Sequence, residues 1–144
     1  MARPKQRMFS APDLLPPGLR TCFLVVDIGF ILYWVLVAFE HIPRAWLFKN
    51  HDEPLLMDWS RSFLVLYALI AFTGLLTLYL AARRSGKALP MALLSLAFSF
   101  CAGLQALSFW TLRSDFSWIW WLPNLFLLLY PLPFLLFIVR RSGR

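Results

Sequence analysis

Charged residues are scarce in this sequence. Lys, Arg, Asp and Glu make up 15% of its 144 residues, whereas soluble globular proteins use about 25%. Hydrophobic residues make up 60%, and a soluble domain of this length has too little interior to bury that much apolar surface. The composition therefore excludes an ordinary soluble protein and favours an integral membrane protein, whose apolar surface lipid covers.

Cysteine and histidine are also few, with two of each. Cys22 begins the first apolar stretch, and Cys101 lies roughly 20 Å into the third by helical rise. Cα atoms joined by a disulfide lie within about 7 Å, so we expect no bridge. His41 and His51 have no metal-ligand spacing, and the segment NHDE is expected to be a solvated loop. We predict no metal site and no cofactor.

Four long apolar stretches are what the sequence has in abundance. Each approaches the roughly 20 residues that an α-helix needs to cross about 30 Å of hydrocarbon. Short connections favour antiparallel neighbours. We predict an all-α integral membrane antiparallel four-helix bundle. Its parts are a cytoplasmic arm at 1–20, one transmembrane domain at 21–139 with spans at about 21–42, 61–82, 88–110 and 117–139, and a cytoplasmic tail at 140–144.

The basic residues are divided unevenly between the two ends of these spans. Ten of the 14 Lys and Arg residues precede the first span, join the second to the third or follow the fourth. Positive residues accumulate on the cytoplasmic side of membrane proteins. We therefore predict a multi-pass protein of the cell inner (plasma) membrane with both termini in the cytoplasm. We thus attribute the net charge of +7 to the orientation of the protein in the membrane and to contact with anionic membrane lipids. A nucleic acid partner is not expected.

Small residues recur every four positions in the third stretch, at Ser95, Ser99 and Gly103. Such a face lets helix backbones approach closely, which is how helices associate in lipid. The second stretch has a weaker version that includes Ala71 and Gly74. We interpret both as packing inside the bundle, with a homodimer as the alternative.

One carboxyl group, that of Asp27, lies inside the first stretch, about 10 Å from its cytoplasmic end. Thr77, Tyr79 and Ser95 are predicted at a similar depth. An ionisable residue inside the membrane suggests a functional site. The structural alternative is a carboxyl group hydrogen-bonded to Tyr79 or paired with Arg20.

Polar residues from all four stretches also lie about 10 Å below their outer ends. Pro131 and Pro133 free backbone carbonyl groups in the last stretch, and hydrocarbon tolerates these only where protein or trapped water satisfies them. We expect a cavity or a tight helix contact there. A pocket would suit a lipid-like or flat apolar ligand; interhelical hydrogen bonds alone are the alternative. The predicted ligand-binding residues are Asp27, Trp34, Glu40, Tyr67, Gln105, Trp120 and Asn124.

Four pieces resemble a family of small bacterial four-span membrane proteins of unknown function, the YvaD-like group. They are DIGFILYWVLVAFEHIP, LFKNHDEPLLMDWSRSF, FCAGLQALSFWTLRSDFSW and WLPNLFLLLYP. The resemblance covers most of the chain after residue 25 and implies no activity.

A fainter likeness is to the emopamil-binding and sigma-2 receptor superfamily, whose members bind sterol-like ligands and include sterol isomerases. It is carried by HIP, DEPLLMDWSRSF and PNLFLLLYPLPFLLFIV. Where that superfamily has a ligand-contacting glutamate, this chain has Tyr67, so one carboxylate of the acid–base pair that an isomerase needs is missing. The likeness implies a hydrophobic pocket lined by Trp120 and Asn124.

The sequence therefore predicts a polytopic membrane protein that binds a small hydrophobic or lipid-like ligand, or docks a membrane partner subunit. One alternative is an isomerase-like enzyme on a lipid-like substrate, with Asp27, or Glu40 and His41, as acid–base groups. The other is a small proton-coupled transporter in which Asp27 titrates.

Overall fold

The computed structural model describes residues 15–39, 43 and 52–142, with side chains as far as 140. This part of the chain is helical and contains no strand, which confirms the all-α prediction. The elements are α1 (Leu19–Ala38), α2 (Pro54–Ala82), α3 (Ala88–Leu112), α4 (Trp118–Leu129) and α5 (Pro131–Ser142). Helices α4 and α5 together form one span, Trp118–Arg140.

All four spans are long enough and apolar enough to cross a membrane, with mean hydropathies between 1.7 and 2.2. Their outward-facing side chains are hydrophobic, as at Val25, Val65 and Phe72, each more than 60% exposed. A soluble helix exposes its polar face instead. The chain is therefore a multi-pass membrane protein.

Helix α2 begins at Pro54, seven residues before the predicted start of the second span. Proline suits the first turn of a helix because a backbone N–H there would have no intrahelical acceptor, so its absence costs nothing. The first turns of α2 thus belong to the stretch between the first two predicted spans. The connections on either side of α3 are short, at residues 83–87 and 113–117.

Helix α3 is the centre of the packing. It contacts α2, α4 and α5, whereas α1 packs against α2. Its small residues Ser95, Ser99 and Gly103 are buried inside the bundle, as their spacing indicates. The hydrophobic core beside them includes Phe23 and Ile70, both with no exposed surface. The antiparallel arrangement of the helices stays a prediction.

The fourth span is interrupted at Tyr130, between α4 and α5. The Tyr130 backbone N–H still donates to the carbonyl of Phe126 (2.9 Å), and its φ and ψ of −62° and −31° are helical. The interruption lies where Pro131 withholds the next backbone donor, and the backbone stays helical in conformation at Tyr130. Pro131 is fully buried, whereas Pro133 is exposed, so protein packs around only the first of the two prolines.

Candidate functional site

A partly open cavity of about 410 Å³ lies between the helices, with walls from α1, α2, α3 and α4. Half of its 18 lining residues are aromatic, and small residues at Gly29, Ser60 and Ala106 leave space between them. The aromatic residues that line the cavity are Phe30, Tyr33, Trp34, Trp59, Phe63, Tyr67, Trp110, Trp120 and Phe126.

Ring contacts hold these walls in place. The Tyr67 ring on α2 stacks on Phe30 of α1 (centroids 4.2 Å apart) and also contacts Trp34 and Phe63. Aromatic pairs in such geometries contribute roughly 0.5–1.5 kcal/mol beyond their buried area. Tyr67 is therefore the residue that joins the α1 wall to the α2 wall.

A second ring group joins α2 to α3 near their outer ends. Trp59 stacks on Phe109 with centroids 3.9 Å apart and meets Trp110 edge-on at 5.5 Å. Above it, Arg113 lies 3.8 Å from Glu53 in an exposed ion pair. The charged residues thus lie at the rim, and the rings separate them from the cavity.

Few polar groups reach the cavity. The Trp34 indole Nε1–H is buried and has no hydrogen-bond partner among the described residues. The Asn124 side-chain amide nitrogen donates to the Trp120 carbonyl (2.7 Å), which leaves the amide oxygen able to accept. None of the described residues that line the cavity is charged.

Four of the seven residues predicted to bind a ligand line this cavity: Trp34, Tyr67, Trp120 and Asn124. Gln105 is exposed on the outer surface of α3 and is not among the lining residues. Glu40 lies outside the described residues, as does His41.

Asp27 lies apart from the cavity lining, fully buried between α1 and α2. A Cβ atom at Gly74 would overlap its carboxyl group, so the carboxyl group lies directly against the α2 backbone. Neither carboxyl oxygen has a hydrogen-bond partner among the described residues. The partners that we predicted do not reach it: Tyr79 is 55% exposed, with Arg83 above its ring, and Arg20 is exposed.

The core also holds buried hydroxyl groups from the other helices. Gly74 lies between Thr73 and Thr77, which are both buried. On the fourth span, Tyr130 lies within electrostatic range of Asp27. We call the set Asp27, Thr73, Thr77, Ser95, Ser99 and Tyr130 the buried polar cluster.

Hydrogen bonds connect the hydroxyl groups of this cluster across three spans, whereas Asp27 forms none with the described residues. The Tyr130 hydroxyl donates to Ser99 Oγ (2.9 Å), which joins the fourth span to α3. Ser95 Oγ donates to the Ile70 carbonyl (3.4 Å), which joins α3 to α2. Sequence reasoning placed Thr77 and Ser95 at the depth of Asp27 but missed Thr73, Ser99 and Tyr130. The four-residue spacing of the Thr pair and the Ser pair is the signal that would have found the first two.

These observations define a class: a multi-pass α-helical membrane protein with an uncharged aromatic cavity and a separate polar core. The chain belongs to a family of unknown function (DUF5360), whose family model matches residues 19–144. It is similar to the uncharacterized protein YvaD of Bacillus subtilis (strain 168), at 51% identity over 122 residues. That alignment covers 85% of this chain and 91% of the relative.

The YvaD-like resemblance is thereby confirmed. No solved structure matches the chain. The likeness to the emopamil-binding and sigma-2 receptor superfamily stays a prediction, as does everything that it implies about sterol-like ligands.

Proposed function

We propose that this protein binds a small, uncharged, lipid-like molecule in the aromatic cavity. The observation that carries the proposal is the cavity of about 410 Å³ with aromatic walls and no charge among its described lining residues. Ligand pockets range from about 300 to 1,000 Å³ and combine apolar walls with a few polar groups.

The polar groups of the cavity favour a ligand with a neutral head. A charged head would lose its hydration without meeting an opposite charge, which costs several kcal/mol. The Asn124 amide oxygen offers one acceptor, and Trp34 carries an unpartnered Nε1–H that is buried in the cavity wall. An alcohol on an apolar body can donate to the Asn124 oxygen and accept from an indole N–H, whereas an ester or a ketone can only accept.

The predicted orientation determines which leaflet the cavity faces. With both termini in the cytoplasm of a bacterial plasma membrane, the outer ends of α1 and α3 and the start of α2 face outward. The cavity then opens in the outer half of the bilayer, because Trp59, Trp110 and Ile119 line it at those ends. A ligand would enter from the outer leaflet.

The direct test is native mass spectrometry of the full-length protein after gentle extraction, with extraction and quantification of the bound lipid. Wild-type protein should retain a neutral lipid. Trp34→Phe keeps the aromatic wall but removes the donor, so retention should fall by up to about tenfold, the equivalent of one hydrogen bond. Trp118→Phe is the matched control because Trp118 is 79% exposed and does not line the cavity.

A second variant tests the cavity itself. Gly29 lines the cavity, and a Cβ atom there would meet nothing within 4 Å, so Gly29→Leu adds bulk without a clash. Retention should be lost while the unfolding midpoint is maintained. Lipid retention equal to wild type in Gly29→Leu would contradict the proposal. A bound protein in place of a lipid would favour the partner-docking alternative.

A further inference from the structure

We infer that Asp27 and the buried polar cluster form a binding site for a monovalent cation, either a proton or an alkali metal ion. This site is separate from the aromatic cavity and does not depend on the function proposed for it. Asp27 has no exposed surface, and both of its carboxyl oxygens lack a partner among the described residues. Buried polar groups are nearly always satisfied, so a bare carboxyl group indicates a ligand that completes it.

The hydroxyl groups of the cluster cannot supply the missing hydrogen bond, because their hydrogens are already in use. On α2, Thr73 Oγ1 donates to the Leu69 carbonyl (2.7 Å) and Thr77 Oγ1 donates to the Thr73 carbonyl (2.8 Å). The other three donors are Ser95 to the Ile70 carbonyl, Ser99 to the Ser95 carbonyl (3.0 Å) and Tyr130 to Ser99 Oγ.

The cluster is consequently rich in acceptors and has no spare donor. Each hydroxyl oxygen keeps a lone pair after it has donated, and Asp27 adds two carboxyl oxygens. Oxygen lone pairs without hydrogens attract a cation and repel an anion. The composition of the cluster therefore selects the sign of the ligand.

The protein itself provides no cation at this position within the described residues. Arg20 is exposed, and Arg83 lies over the Tyr79 ring instead of reaching inward. An ionised carboxylate without a partner is too costly to keep in the interior of a membrane bundle. The Gly74 backbone closes one side of the carboxyl group, so the neutralising ion has to arrive from another direction.

Asp27 is also the group that a change of pH would act on. The titratable group of another helix that interacts with it is Tyr130 on the fourth span, which also interacts with the Cys22 thiol of α1. Thiols and phenols ordinarily ionise above neutral pH. Helices α2 and α3 contribute hydroxyl groups, which do not titrate. Within this cluster only Asp27 can respond between mildly acidic and neutral pH, and a variant without its carboxyl group separates that response from those of the histidines and the other carboxyl groups of the chain.

The experiment measures the thermal unfolding midpoint (Tm) of the full-length protein in detergent micelles. Na⁺ is varied at constant ionic strength with choline as the replacement, and pH is varied separately in Na⁺-free buffer. A cation that binds the folded state stabilises it by mass action. An alkali ion site raises the Tm by several degrees as Na⁺ increases. A proton site raises it as the pH falls and leaves it insensitive to Na⁺.

Variants assign the response to the site. Asp27→Asn should abolish the dependence, whereas Asp58→Asn should retain it because Asp58 is exposed at the start of α2. If Asp27→Asn does not fold, the smaller Asp27→Ser replaces it. A wild-type Tm that responds to neither cation overturns the inference without any variant, and so does a response that survives the loss of the carboxyl group.

Discussion

At position 74, glycine lies directly against the Asp27 carboxyl group, and a Cβ atom there would overlap it. We expect Gly74→Ala to destabilise the protein by about 1–3 kcal/mol, the usual range for an overpacked core. This loss exceeds the gain of up to about 1 kcal/mol that alanine brings in helix propensity. Reversible unfolding in mixed detergent micelles measures the difference.

Gly29→Ala is the matched control for this substitution. It also replaces a helical glycine, but nothing lies within 4 Å of the added atom. Its helix propensity should therefore leave stability unchanged or slightly higher. Equal effects of the two substitutions would show that the close contact between Asp27 and α2 does not exist in the folded protein.

The same residues show what the sequence could predict. Counting along the helices predicted the depth of Asp27, because helical rise converts residue number into height. Its surroundings depended on the rotation of each helix, which the count does not provide. Thr77 and Tyr79 differ by two residues and so point to different sides of α2. Thr77 is buried, whereas Tyr79 is 55% exposed.

At the scale of the helices, the spacing of small residues predicted the packing better than the polar residues did. The inward face of α3 includes Ser95, Ser99, Gly103 and Ala106, which are all buried. Gln105 was predicted at the depth of the ligand site, but it lies outside this face and is exposed. In lipid, close backbone contact decides which face turns inward, and a single amide does not outweigh it.

That inward face yields a prediction about the contact between α3 and α4. A Cβ atom at Gly103 would lie 2.5 Å from the Leu128 backbone nitrogen and 2.6 Å from the Asn124 carbonyl oxygen. Backbone atoms of a helix cannot rotate away, so Gly103→Ala must separate the two helices. We expect a loss of stability at the upper end of the range of about 1–3 kcal/mol for overpacking.

Separation of these helices should also disturb the cavity, since Asn124 and Leu127 line it. Lipid retention and unfolding of Gly103→Ala are therefore measured together. Gly86→Ala, in the connection before α3, is the control because an added Cβ atom would have no neighbour within 4 Å. Wild-type stability of Gly103→Ala would mean that α3 and α4 lie farther apart than the structure shows.

For the whole molecule, the uneven charge distribution predicts how the bundle is inserted. In a background without Cys22 and Cys101, a membrane-impermeant maleimide should label Phe116→Cys on intact cells, because the charge distribution predicts that connection to lie outside. Gly86→Cys should react only after lysis, because its connection lies at the end of the bundle that carries ten of the 14 basic residues, and that end is predicted to face the cytoplasm. Both positions are exposed, and Val65→Cys, exposed to lipid at mid-span, controls for leakage.

The reverse pattern would invert the orientation and move the cavity to the inner leaflet. Labelling of both connections from the same side would contradict the prediction that α3, which joins them, crosses the membrane once.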